Sequence, residues 1–419
     1  MYPVSMNNRK AELKKQALAA RDKQALYGPD MELGGYGMGN GEDKRLKNLS
    51  DIPSRLKEAS LLAGFQAGEE QRSGSYLQQG ENVLYDRVKD IYRNQIEVMQ
   101  IEEALKKYEW LWDYWWKTVA VDTDKYTAWT ELHHRGGYFM RIKRGQKVKM
   151  PIQACLLMSE NAASQRVHNI VIAEEGSRAE IITGCSTSPK VDEGVHLGVS
   201  EFYIHKNAEL SFTMVHNWGA AFHVRPRTGI VVDEGGSFIS NYILLRPLES
   251  LQTNPRAVLR GRGARVRFNS IIHGREHSLI DIGSVIDLQA EESRGESVSR
   301  AAVSDEAIVT MRGLLRADTD KTRGHLSCSG LLLSRDAVVD ALPQLSVSGA
   351  PGADLAHEAA IGPVDEESVQ YLMSRGLERE EAESAIIQGF MKVGIEGLPE
   401  VLDQLVKNLG RQITESGRG

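Results

Sequence analysis

Gly176-Ser-Arg-Ala-Glu-Ile181 reads as a turn at a small residue followed by an alternating strand, and the same figure returns down the chain. An anchor residue, often Gly, precedes Ser or Ala, any residue, an aliphatic residue or Ala, any residue, and usually another apolar one. Copies stand at Asn207-Ala-Glu-Leu-Ser-Phe212, Gly236-Ser-Phe-Ile-Ser-Asn241 and Gly263-Ala-Arg-Val-Arg-Phe268. Others follow at His277-Ser-Leu-Ile-Asp-Ile282, Glu306-Ala-Ile-Val-Thr-Met311 and Asp336-Ala-Val-Val-Asp-Ala341. The anchors lie 31, 29, 27, 14, 29 and 30 residues apart. That spacing is too short for strand–helix–strand units and too regular for a sandwich. No single unit can bury the inward face of its strand, whereas stacked units bury one continuous core. The interval of 14, about half the others, implies two anchored strands in some turns of the coil. The reading is a mainly β chain with a parallel β-helix (β-solenoid) over residues 119–348.

The flanks differ in texture. Residues 1–118 are predicted to be an N-terminal helical region, with 1–50 partly flexible. It holds a charged helix over 7–26, a glycine-rich breaker from Gly28 to Gly41, and a second helix opened by Pro53. A longer helix is predicted from Asn82 to Trp116, with Leu84, Val88, Ile91, Tyr92, Ile96 and Met99 along one face. Its end, Glu109-Trp-Leu-Trp-Asp-Tyr-Trp-Trp116, is read as aromatics docking on a neighbouring domain rather than as a ligand platform. Residues 349–419 return to helix. Asp365 caps one that Gly376 stops, a second covers Glu378 to Lys392, and a third starts at Pro399 with Leu402, Leu405, Val406 and Leu409 as its apolar stripe.

Of 419 residues, 26% are charged and 41% hydrophobic, an ordinary globular balance, and the net charge of -6 disfavours a nucleic-acid surface. No apolar run reaches the length of a membrane span, and Met-Tyr-Pro-Val-Ser-Met at the start lacks a signal-peptide stretch. Three scattered cysteines make no disulfide framework, so a reducing cytoplasm is the expected compartment. There is no phosphate-binding loop, no complete Gly-x-Gly-x-x-Gly, no Cys-x-x-Cys and no Gly-x-Ser-x-Gly elbow, so nucleotide energy must come from another chain.

What remains is sparse soft-ligand chemistry. Cys328, between two serines, shares a strand face with Leu326 and Gly330. Cys185, in Ile181-Ile-Thr-Gly-Cys-Ser-Thr187, is read as following a strand in a loop-like, accessible setting. Cys155, flanked by apolar residues, is read as core. Rival readings are a β-solenoid enzyme, which would need a hexapeptide repeat or a row of carboxylates, a metal-binding hydrolase on His216 and His223, and a purely structural interaction module.

Together these stretches resemble the SufB/SufD family, the scaffolds of the SUF iron–sulfur cluster assembly machinery. Ile182-Thr-Gly-Cys-Ser-Thr187 and Val215-His-Asn-Trp218 resemble the family's Glu-Gly-Cys-Thr and Gln-Asn-Trp segments. Ser327-Cys328 with the later Pro343, and Leu355-Ala-His-Glu-Ala359 followed by a helical tail through Gly389-Phe390, match SufB-type segments. The resemblance runs from about residue 75 to the C-terminus and is closest to a compact SufB-like chain of a minimal system. It implies a right-handed parallel β-helix between helical domains. It also implies a scaffold rather than an enzyme, with a SufC-type ABC ATPase as partner and a homodimer or a SufD-like paralogue completing the assembly. A cysteine desulfurase system would donate sulfur. The cargo implied is a transient iron–sulfur cluster, [4Fe-4S] in preference to [2Fe-2S].

By the same resemblance, Cys328, Glu358 and His357 would be cluster ligands, and Cys185 would accept sulfur and pass it through the interior, with Cys155 left open as an alternative. His216, Trp218, Arg225 and Arg227 would line that relay, His216 standing where the family has Gln. Tyr371, Leu372, Ile386 and Phe390 on the C-terminal helices would dock the ATPase.

Overall fold

Left-handed turns at regular intervals set the coil. Backbone φ is positive at Gly176, Asn207, Gly235, Gly263, Glu292 and Lys321, each just ahead of a strand. The strands are Arg178–Thr187, Glu209–Asn217, Ser237–Leu244, Arg265–Gly274, Arg294–Val303 and Arg323–Leu332. Successive turns hydrogen-bond to one another: the Gly176 amide donates to the Lys206 carbonyl, Asn207 to Glu234, Gly235 to Arg262 and Gly263 to Glu291. Glu276 and Asp305 make the same turn ahead of Leu279–Ile282 and Ile308–Ala317. The interval of 14 is thereby explained, because Gly263 and His277 anchor strands in two different sheets.

The computed structural model describes residues 6–39, 45–65, 68, 70–133, 135–188, 191–244 and 246–391. The fold is mainly β, a β-solenoid of about eight turns with helices towards the termini. One ten-stranded sheet runs from Asn82–Val88 and Gly74–Gln79 through the strands above to Asp354–Pro363, parallel throughout except for its first hairpin. The other sheet begins at Ile96–Gln100 and ends at Val338–Val347. Over three coils its strands split into pairs at Arg225-Pro226, Asn254-Pro255 and Gly283-Ser284. Proline has no N–H for the ladder, so the first two breaks follow from sequence. The inward faces of both sheets share one apolar core, including Phe202, Phe212, Phe238, Phe268, Ile272, Leu288, Met311 and Leu326.

Two expectations for the flanks are corrected. Asn82 to Trp116 is not one helix. It is the strand Asn82–Val88, the strand Ile96–Gln100, the short helix Ile101–Lys107 and a 3-10 turn over Glu109–Asp113. The supposed helical stripe fails because Leu84, Val88, Ile96 and Met99 lie on two separate strands, while Ile91, 71% exposed, and Tyr92 sit in a 3-10 turn between them. The segment 349–363 is not helical either. Asp354–Pro363 extends the solenoid past its expected end by pairing with Arg323–Leu332. The remaining helices are Met6–Ala20, Ser54–Leu62, Lys125–His133, Glu366–Ser374 and Arg379–Met391. Asp365 caps the fourth, accepting the Ser368 amide, and Gly376 follows at φ 99°. The helix expected from Pro399 lies outside the described residues. No described helix is long and apolar enough to cross a membrane.

The tryptophans dock as their composition suggests. Trp115 stacks on His168 at 3.8 Å, and Trp112, Trp115 and Trp116 pack with Ile170, Ile172, Val199 and Tyr203 on the outside of the solenoid. The clamp beneath them is a buried carboxylate. Glu201 accepts the backbone amides of Trp116, Lys117, Thr118 and Val119, the hydroxyls of Thr118 and Tyr203, and His168 Nε2. Burial would raise the Glu201 pKa, but the His168 and Thr118 hydrogen bonds outweigh it and hold the carboxyl below its usual range.

Candidate functional site

Strand parity decides which candidate side chains enter the lumen. Cys185 lies within the strand Arg178–Thr187 and is wholly buried, not in an accessible loop; the strand simply continues to Thr187. Its ladder neighbour is His216, and the same inward row continues through Leu244, Ile272, Ala301 and Gly330. The adjoining inward row holds Met214, Tyr242, Ser270, Ser299 and Cys328. The two thiols therefore face one interior, five ladder steps apart, or about 24 Å at the spacing of paired strands.

Around Cys185 the lumen is polar and soft. Cys185 Sγ is 3.7 Å from Met214 Sδ, and Tyr242 Oη is 2.7 Å from His216 Nδ1. From the facing sheet comes His196, whose Nδ1 is 3.0 Å from Gln165 Oε1. Gly198 makes room for that imidazole, since a Cβ there would stand 2.7 Å from His196 Nε2. Trp218 stacks on Phe222 at 5.2 Å and lies 5.0 Å from the His196 ring. Beside them is a cavity of about 50 Å³ lined by His196, Met214, His216, Tyr242, Ser270 and Thr228 among others. It can take a few small molecules of water size.

Burial sets the protonation of these groups. It raises the Cys185 and Cys328 thiols, so each is neutral at pH 7 and must lose a proton to bind a metal. It drives His196 down to about 3 and His216 well below the ordinary value, so both imidazoles are neutral. An unfolded chain would protonate them below about 6.5. Their contribution to stability is therefore complete above about 6.5 and is lost as pH falls toward the folded values. Melting should show a midpoint that falls from about pH 6.5 down to pH 4. A His196→Gln/His216→Gln chain should show a slope shallower by about 1.4 kcal/mol per pH unit for each histidine removed. An unchanged slope would mean that these rings are already charged in the fold.

Arg225 and Arg227 stand elsewhere. Pro226 and Thr228 line the lumen cavity, and the two arginines alternate outward. Arg225 bonds Ser250, Arg227 bonds Asp124, and both lie over the Tyr126 ring at 5.5 and 5.1 Å. Cys155 packs with Leu49, Ile52, Leu56 and Phe65 on the outer side, as core.

The other end of the lumen holds Cys328, only 4% exposed, on the penultimate strand of its sheet. Its face is shared with Leu326 and Gly330, as alternation requires. On the last strand, His357 pairs with Leu326 and Ala359 with Cys328, so His357 is a diagonal neighbour on the same face. Glu358 faces the opposite way, with its carboxylate 3.1 Å from Ser327 Oγ and 4.0 Å from His325. The strand thus brings Cys328 and His357 together and turns Glu358 to the outer rim. Inward-facing Leu345, Val347 and Ile361 of the final coil are 39%, 50% and 41% exposed. Among the described residues nothing caps this end.

On the C-terminal helices, Tyr371 is 59% exposed while Leu372 and Ile386 are half-buried. Phe390, Ile387 and Met391 pack on Ile271, Val298, Ala302 and Leu331, outside the ten-stranded sheet. Sequence reasoning missed His196, Met214 and Tyr242. Ladder register was the missing signal: the inward partners become visible only when strands about 30 residues apart are aligned.

Residues 156–390 match the family model described as the SUF system FeS cluster assembly SufBD core domain. The chain is 43% identical over 400 residues to an iron–sulfur cluster assembly SufBD family protein of Methanothermobacter thermautotrophicus, spanning 94% of this chain and 97% of that one. It is 45% identical over 353 residues to a protein of the same description from Archaeoglobus fulgidus, spanning 84% and 92%. A Pyrococcus horikoshii SufBD family protein is 33% identical over 362 residues, spanning 86% and 81%.

Proposed function

The chain belongs to the SufBD family of iron–sulfur cluster assembly proteins, and from that membership we propose that it is the scaffold on which a cluster is built at the open end of the solenoid. One observation carries this reading. A buried thiol, Cys328, faces the lumen one strand from an end that no described residue caps, beside an exposed imidazole, His357. Among the described residues both sheets also end there in strands with an unpaired edge, and apolar side chains ring the mouth. A second copy related by a twofold axis is the occupant that satisfies edges and apolar ring together.

Across such an axis, two Cys328 thiolates and two His357 imidazoles would face one nascent cluster. Stable clusters are usually held by four thiolates. Imidazole and carboxylate hold iron less firmly, so a mixed set suits a cargo that must leave. Glu358, on the rim, would meet the partner chain rather than the lumen. A [4Fe-4S] cargo is preferred over [2Fe-2S], as the family resemblance implies.

Cys185, as a thiolate, would take the outer sulfur of a persulfide on a cysteine desulfurase system, the donor leaving as its thiol with no net oxidation, and the inward row of Met214, Tyr242, Ser270 and Ser299 joins that part of the lumen to Cys328. The support is that these residues share one inward face. The exposed Tyr371 on the C-terminal helices would contact a SufC-type ATPase, whose closure on ATP would pull on the solenoid end. The homodimer is tested by Leu345→Lys. Placing a charge in the apolar ring should halve the solution mass in light scattering and abolish cluster retention, with an unchanged circular dichroism spectrum. A variant that keeps the parent's mass and cluster would refute the placement of the interface.

A further inference from the structure

We propose that Cys185, His196 and His216 form a mononuclear site for a borderline-soft transition-metal ion of the zinc(II) class, inside the lumen and separate from the cluster site, filled in the resting chain and vacated when Cys185 takes up sulfur. One ligand atom from each of these three buried residues lies within 4.8 Å of the other two. A tetrahedral zinc site with bonds of about 2.0–2.3 Å holds its donors about 3.3–3.8 Å apart, so closure by about an ångström completes it. The two imidazoles come from facing sheets, His196 from Glu193–Ile204 and His216 from Glu209–Asn217. An ion between them would be gripped from both walls of the solenoid.

The outer partners support metal ligation. His216 uses Nδ1 toward Tyr242 and His196 uses Nδ1 toward Gln165. Metal-bound histidines are commonly oriented in this way, through the ring nitrogen that does not ligate. His216 Nε2 is buried without a hydrogen-bond partner among the described residues, which is costly unless something else occupies it. Met214 Sδ, 3.7 Å from Cys185 Sγ, is placed to be a weak fourth donor, with the neighbouring cavity as the alternative source of a water. One thiolate, two imidazoles and a thioether favour thiophilic ions over magnesium or calcium. On binding, the S–H bond of Cys185 gives its proton to solvent and a sulfur–metal bond replaces it, with no change in oxidation state.

The test uses the full chain carrying Cys328→Ala, which removes the competing cluster thiolate, purified without oxygen from cells grown with added zinc. Elemental analysis should find one zinc per chain. X-ray absorption at the zinc edge should show two imidazole nitrogens with one or two sulfurs. Adding His216→Gln, or separately Cys185→Ala, should lower zinc content at least tenfold, while Cys155→Ala should not change it. A zinc-free Cys328→Ala chain, or zinc held by oxygen ligands only, overturns the site. So does zinc that survives both His216→Gln and Cys185→Ala. The X-ray absorption arm does not depend on those variants folding. Because the background lacks Cys328, failure here leaves the cluster reading untouched, and failure of the cluster reading leaves this one untouched.

Discussion

Replacing Cys328 with alanine is expected to abolish the broad visible absorption that anaerobic reconstitution with iron and sulfide gives the parent chain. Cys328 is the one thiol near the open end, since Cys155 lies on the outer side of an early coil and Cys185 is five ladder steps away. Without it, His357 and Glu358 remain, and nitrogen and oxygen alone do not hold an iron–sulfide core. Retained iron should fall at least tenfold. Folding should suffer little, because removing one buried sulfur atom costs about 1 kcal/mol. Cys328→Ser tests the same point with a group of similar size, and it should also lose the absorption. A Cys328→Ala chain that reconstitutes like the parent would place the cluster elsewhere.

Glu201→Ala is expected to cost about 3–5 kcal/mol, because it leaves several donors unsatisfied and each buried one costs about 1–3 kcal/mol. The reason is the number of donors it leaves behind. The amides of Trp116 and Val119 and His168 Nε2 would be buried, and those of Lys117 and Thr118 partly buried, facing an empty space. Trp116 is held there at φ 53°, a conformation that L-residues seldom adopt, and the carboxylate is what secures it. Glu201→Gln should recover little, since the carboxamide keeps one acceptor oxygen but brings two N–H groups into a cage made of donors. Differential scanning calorimetry should show the lowered midpoint. Hydrogen exchange should show lost protection at residues 116 to 119 ahead of the rest of the solenoid. Unchanged exchange at those amides would show that the tryptophan segment is held by its ring packing alone.

The solenoid was legible because its turns repeat. Gly176 and Gly263 supply positive φ directly, and Asn207 is the residue type that next tolerates it. Glu292 and Lys321 make the same turn with residues that carry no such mark, so the strands beginning at Arg294 and Arg323 escaped the repeat. Asn82 to Trp116 misled for a different reason. Strands buried on both sides lose their alternation, and a short apolar run then fits either period. His357-Glu358 drew attention as a pair, yet adjacency on a strand is what separates them, because consecutive side chains leave opposite faces. Arg225 and Arg227 likewise sit next to lumen residues in sequence and outside the lumen in space. Cys185 is read as accessible because it follows the strand anchored at Gly176, yet that strand runs on to Thr187. Gly184 is the place where the chain at Ala63 presses on the outside of the sheet, since a Cβ there would meet the Ala63 carbonyl oxygen at 2.2 Å.

Native mass spectrometry of the reconstituted full chain, kept anaerobic throughout, weighs the central claim in one spectrum. A particle of two chains carrying a single iron–sulfur cluster, which splits into cluster-free monomers when the charge is placed at position 345, is the result expected. Monomers that each hold a whole cluster, or dimers that stay empty under the same loading, would contradict a cargo shared between two open solenoid ends.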